Sequence, residues 1–147
     1  MKLFKQGKLL LAGFVAALGL AIGFGTTAHA TTWHRGTPSA LRGTWKTKSI
    51  TVAGTHTRFE VKIGKNLINN AGGFGDPMVS NNQSYHHKAG SHYYYVKGHE
   101  TLYTNGKEIF YYKFYQKGNK MHLMNYLTIN NGHKFSPEHH YGHWYYK

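Results

Sequence analysis

Asn-Gly occurs twice in the second half of the chain, at Asn105-Gly106 and Asn131-Gly132, each flanked by runs in which apolar and polar side chains alternate. A type I′ turn needs positive φ at both central residues, which Asn and Gly tolerate, so the dipeptide in this setting is a hairpin signal. Ala53-Gly54, Gly64-Lys65, Ala89-Gly90, Lys97-Gly98 and Gly118-Asn119 cut the remaining chain into pieces of similar length. Pieces this short and this alternating build strands, because a helix needs a 3.6-residue period sustained over ten or more positions.

The clearest piece is His56–Ile63, where Thr57, Phe59, Val61 and Ile63 share one face and His56, Arg58, Glu60 and Lys62 the other. Further strands are expected at Trp45–Val52, Asn66–Asn69, Ser84–Lys88, His92–Lys97, His99–Tyr103, Glu108–Gln116, Lys120–Ile129 and Tyr141–Tyr146. Residues 71–83 read as a loop, and Pro38-Ser39-Ala40-Leu41 as one helical turn. The expected fold is all-β: a small up-and-down antiparallel barrel of about eight strands, because a twisted sheet of that size closes on itself and removes its edges. A two-sheet β-sandwich is the alternative.

Residues 1–30 have the layout of a cleaved secretory leader. Lys2, Lys5 and Lys8 precede the apolar run Leu9–Phe24, and Ala28-His29-Ala30 is the small-x-small pattern of a cleavage site. The run is shorter than the ~20 residues of a membrane-spanning helix, although an uncleaved anchor is the competing reading. Residues 31–147 then form a single barrel domain with 31–43 as its lead-in, and the expected location is extracellular, with association to the cell wall. Loss of the three leader lysines takes the net charge from +13 to +10. The chain has no cysteine, so disulfide staples, a thiol nucleophile and a lipidated Cys are excluded.

Gly43-Thr44-Trp45, opening the first long strand just after the helical turn, resembles the Gly-x-Trp signature of lipocalin-like barrels. That resemblance implies a turn plugging one barrel end and a Trp closing the core above it. The family's usual Arg near the last strand has no counterpart, since no Arg follows Arg58, which leaves Arg42 or Lys147 to cover Trp45. Trp33-His34-Arg35-Gly36-Thr37-Pro38, Leu41-Arg42-Gly43-Thr44-Trp45, Tyr94-Tyr95-Val96-Lys97-Gly98 and Gly142-His143-Trp144-Tyr145 resemble small exported proteins of Gram-positive lactic-acid bacteria. This second resemblance implies export and a shared fold, and adds no mechanism.

Nothing in the spacing promises catalysis. The five acids are Glu60, Asp76, Glu100, Glu108 and Glu138, with no pair set to converge on a cleft. His99-Glu100 lacks the second His of a zinc-protease helix, Gly72-Gly73-Phe74-Gly75 is not followed by a helix, and no Gly-x-Ser-x-Gly is present. The chain reads as non-enzymatic. His86, His87, His139, His140 and His143 are the candidate ligands for Zn or Cu, the one cofactor class the composition suggests. The eleven histidines outside the leader titrate near pH 6.5, so acidification raises the charge towards about +20.

The strongest functional signal is basic charge interleaved with tyrosine. Tyr93, Tyr95, Lys97, Tyr111, Lys113 and Tyr115, with Lys46, Lys48, Arg58 and Lys62, are the candidates for binding anions or glycans: rings stack on sugars while ammonium groups attract anions. The expected partners are anionic cell-wall polymers or glycans. Single-stranded nucleic acid suits the same chemistry but not an exported protein. The competing reading is a carrier of a small hydrophobic ligand, held among Trp45, Phe59, Val61, Phe110, Phe114, Leu123 and Leu127.

Overall fold

Alternation becomes strand along most of the chain, in a computed structural model that describes residues 31–73 and 75–147. The leader and its Ala28 and Ala30 lie outside the described residues. The strands are β1 (His34–Arg35), β2 (Gly43–Thr47), β3 (Ile50–Val52), β4 (Thr55–Thr57), β5 (Phe59–Ile63), β6 (Leu67–Gly72), β7 (Met78–His87), β8 (Tyr93–Glu100), β9 (Glu108–Lys117), β10 (Lys120–Asn130), β11 (His133–Phe135) and β12 (Tyr145–Tyr146), with a 3-10 turn at Ser39–Leu41. Among the described residues no helix is long and apolar enough to cross a membrane.

β2, β5, β6, β7, β8, β9, β10 and β12 pair antiparallel in sequence order, and β12 returns to β2, so eight strands close an up-and-down barrel. This closure replaces the sandwich alternative. β3 and β4 form a separate hairpin that leaves the wall between β2 and β5, turning through Ala53 and Gly54 at positive φ. β1 adds to β7 beyond the end of β6, with His34 opposite Tyr85.

Four expectations need correction. Residues 71–83 are not one loop: β6 continues to Gly72 and β7 begins at Met78. Lys97-Gly98 is no turn, because β8 runs straight through it. Gly98 faces inward, where a Cβ would collide with the Gln83 side chain. Asn105-Gly106 does have positive φ at both residues, but it sits at the end of the longer loop 101–107, whereas Asn131-Gly132 makes the tight hairpin that pairs Asn130 with His133. The loop is longer because Glu100, only 1% exposed, draws in the backbone N–H groups of Leu102, Tyr103 and Thr104 and the Thr104 hydroxyl. Finally, Leu127 does not face the core with Leu123. A bulge between Asn125 and Leu127 shifts the alternation, so Asn125 and Thr128 point inward.

Trp45, Val61, Val96, Phe110, Tyr112, Phe114 and Leu123 fill the barrel, with Phe110, Tyr112 and Phe114 rings about 6 Å apart along one strand. Full burial of a side chain such as Phe114 contributes about 2–3 kcal/mol relative to exposure. The Ser39–Leu41 turn closes the end at which Gly43 meets Ile63: Leu41 is fully buried and its carbonyl accepts the Trp45 Nε1–H at 2.7 Å. Lys147 covers the Trp45 ring, its Nζ 5.3 Å from the centroid. Gly43, at φ 127°, makes room for it, since a Cβ there would stand 2.7 Å from Lys147 Cε.

Closure is unequal along the barrel. β10 has eleven residues and its partner β12 only two, at Lys120–Tyr146 and Met121–Tyr145. Between that pairing and the β11 hairpin, which takes Thr128–Asn130, no strand pairs with this edge of β10, and Glu138 of the connecting segment 136–144 reaches it instead. The backbone N–H of Asn125 donates to Glu138 Oε2 at 2.6 Å, which replaces a missing ladder bond.

Candidate binding surface

Strand pairing gathers six of the sequence candidates on one outer wall. Across β8 and β9, Tyr93 faces Tyr115, Tyr95 faces Lys113, and Lys97 faces Tyr111. Their inward neighbours Tyr94, Val96 and Gly98, and Phe110, Tyr112 and Phe114, line the core side, so the outward set is what period 2 leaves for the surface. On β10, His122 lies opposite Tyr115, and the bulge places Tyr126 within 6.1 Å of the Tyr95 ring and 6.2 Å of the Tyr111 ring.

The lysines of this wall rest on rings. Lys113 Nζ is 4.8 Å from the Tyr93 centroid and 5.7 Å from that of Tyr95, while Lys97 Nζ is 4.5 Å from Trp33 and 6.0 Å from Tyr111. Contacts of this kind contribute about 0.5–1 kcal/mol each at exposed sites, which orders the ammonium without neutralising it. None of the five acids occupies an outward position of β8, β9 or β10, since Glu100 and Glu108 fall on the inward set.

Residues that sequence reasoning passed over extend the wall. Trp33 meets His86 edge-on at 4.6 Å, and His86 stacks flat on Tyr95 at 4.6 Å. At the other end Trp144 lies 3.6 Å from His122 and 6.1 Å from Tyr115, with Tyr141 stacked on His122 at 5.3 Å. Burial lowers the pKa of both His86 and His122, against a smaller opposing effect of the His143 backbone on His122. Burial also raises Tyr126, with the neighbouring Tyr95 and Tyr111 adding to it. No local pattern marks Trp33 or Trp144 as wall residues; only the pairing of β1 with β7 and the return of segment 136–144 bring them there.

The other four candidates lie on β2, β5 and their flanks. Lys46 and Lys62 both bind Glu60, at 2.9 and 3.0 Å, and these bonds hold the Glu60 carboxyl below its usual range. Lys46, Lys48 and Arg58 line a shallow hollow of about 340 Å³ with Tyr146, whose ring is 5.7 Å from Lys48 Nζ.

The candidate metal ligands divide between two places, and no three of them are set to hold a metal ion. His86 packs on the wall, His87 stacks on Tyr94 at 4.2 Å with its Nε2 2.7 Å from the Ser91 carbonyl oxygen, and His143 stacks on Phe59 at 5.6 Å. His139, His140 and that same His143 line a pocket at the seam beside β10. Among the described residues no three His, Asp or Glu side chains come together as a metal site. Of the residues expected to surround a hydrophobic ligand, Trp45, Val61, Phe110 and Phe114 are packed against one another, Phe59 and Leu123 border the seam pocket, and Leu127 lies outside the core.

No family model, curated protein or solved structure matches this chain.

Proposed function

We propose that the protein is an exported, non-enzymatic binding protein, held near the cell envelope by anionic polymers or glycans that lie across the β8–β9–β10 wall. The observation that carries this reading is Lys97 and Lys113 seated on aromatic rings with no carboxylate on the same wall. An ammonium paired with a carboxylate has little left for a ligand; one lying over a ring keeps its full charge beside a flat apolar platform. Tyr93, Tyr95, Tyr111 and Tyr115 supply that platform, so a sugar face stacks while a phosphate or carboxylate takes the lysine. The leader pattern of residues 1–30 supports export.

Co-sedimentation with isolated Gram-positive cell walls, and with purified polyglycerol phosphate against neutral dextran, tests this reading. Binding to the walls and the polyphosphate, released by about 0.5–1 M salt through charge screening, is the expected result. Retention that ignores salt, or that the double variant Lys97→Ala/Lys113→Ala leaves intact, overturns it.

A further inference from the structure

The seam beside β10 is a second, chemically opposite site. Where β12 ends after two residues, the barrel wall is completed by segment 136–144, and a pocket of about 470 Å³ opens between that segment and the ends of β5, β6 and β7. Phe59, Met78, Leu123 and Tyr145 form its apolar side, all of them belonging to or packed against the core. The volume is within the 300–1,000 Å³ range of small-molecule sites.

With its histidines neutral, its charge is the reverse of the rest of the molecule. The chain carries 18 Lys and Arg against five acids, yet the pocket is lined by no Lys or Arg, by two of the acids, Asp76 and Glu138, and by His139, His140 and His143. Glu60 is occupied by two lysines and Glu100 by the 101–104 backbone. Glu138 uses Oε2 for the Asn125 N–H. Among the described residues neither Glu138 nor Asp76 has a Lys or Arg in ion-pair contact. Partial burial raises the Glu138 pKa, which the Asn125 N–H and His140 only partly offset.

We infer that the seam pocket binds an organic cation with an apolar body: an ammonium held at the rim by Glu138 and Asp76, and a ring or short alkyl chain laid against Phe59, Met78 and Leu123. This site is independent of the polymer-binding wall, and its occupant would be repelled by that wall.

The test uses three probes of one shape: 2-phenylethylammonium, neutral 2-phenylethanol and anionic phenylacetate, titrated against the full chain by NMR and calorimetry. The ammonium is expected to bind saturably, at least about tenfold tighter than phenylacetate, and to shift the Met78 and Leu123 methyl signals. Glu138→Gln, whose amide oxygen can still accept the Asn125 N–H, and Asp76→Asn are each expected to weaken the ammonium at least about threefold and leave phenylethanol unchanged. Lys97→Ala/Lys113→Ala is expected to change none of the three, which separates failure here from failure of the wall reading. Equal or tighter binding of phenylacetate, absence of saturable ammonium binding, or indifference to both carboxylate variants overturns the inference.

Discussion

Two basic surfaces on this barrel look alike in sequence and differ in what surrounds their charges. On β2 and β5, Lys46 and Lys62 converge on Glu60, so much of their field is cancelled within 3 Å. On β8 and β9, Lys97 and Lys113 lie over Trp33, Tyr93, Tyr95 and Tyr111, and nothing on that wall cancels them. Counting lysines therefore misjudges affinity. What matters is whether the partner of each ammonium is a carboxylate or a ring, and in a sheet that is set by the neighbours that register brings alongside it, opposite, diagonal or two residues along the strand.

The largest expected effect comes from removing the carboxylate that frames the second surface. Glu100→Ala leaves the N–H groups of Leu102, Tyr103 and Thr104 without their acceptor, at a cost of about 3 kcal/mol or more. Chemical denaturation should show that loss, and an unchanged midpoint would mean that the β8–β9 loop does not depend on Glu100. The hydrogen bonds outweigh burial and keep this carboxyl below its usual pKa, so its contribution is complete above about pH 4.3 and disappears as pH falls below that.

Next in size is the charge comparison itself. At about 1 kcal/mol for each exposed charge contact, Lys97→Ala/Lys113→Ala should weaken polyphosphate binding roughly 30-fold. Lys46→Ala/Lys62→Ala should weaken it less than about threefold, and equal losses would break the contrast. Tyr95→Ala removes a ring shared by Lys113, His86 and Tyr126 and should cost roughly tenfold in glycan affinity, from stacking of about 1–3 kcal/mol per ring. Glu60→Gln should have the opposite sign, freeing Lys46 and Lys62 and raising polyanion binding about two- to threefold by calorimetry.

The smallest effect is on pH dependence. His86 and His122 have pKa values lowered by burial, so the unfolded chain takes up their protons first. The stability they contribute is complete above about pH 6.5 and declines as pH falls. Polymer binding should strengthen towards pH 5 while thermal stability decreases, and His122→Phe should flatten part of that decrease.

Much of this architecture was legible beforehand because strand chemistry is local. His56–Ile63 alternates as β4 and β5 do, apart from a break at Arg58. The outward positions of Tyr93, Tyr95, Lys97, Tyr111, Lys113 and Tyr115 followed from period 2 alone. Asn131-Gly132 and Asn105-Gly106 both made their tight turns, but only the first joins two strands directly; the second closes a longer loop, because a buried carboxylate five residues earlier pulled that loop around itself. The β10 bulge was invisible, since the exchange of Asn125 for Leu127 at the core depends in part on groups outside the strand. Glu138 accepts the Asn125 backbone N–H, and with the Asn125 amide nitrogen turned towards them the Tyr111 and Leu127 carbonyls accept at 3.1 and 3.0 Å.

By itself, then, the sequence determined an all-β chain with turns at most of its expected Gly positions, and a basic, tyrosine-rich outer face. These depend on φ preferences and side-chain alternation, which act within a few residues. The tertiary structure alone decided which lysines meet Glu60 and which meet rings, how Trp33 and Trp144 arrive from the two ends of the domain, and where the wall is left open beside β10. Each of those depends on strand register and on a two-residue closing strand, and register is set by the whole barrel.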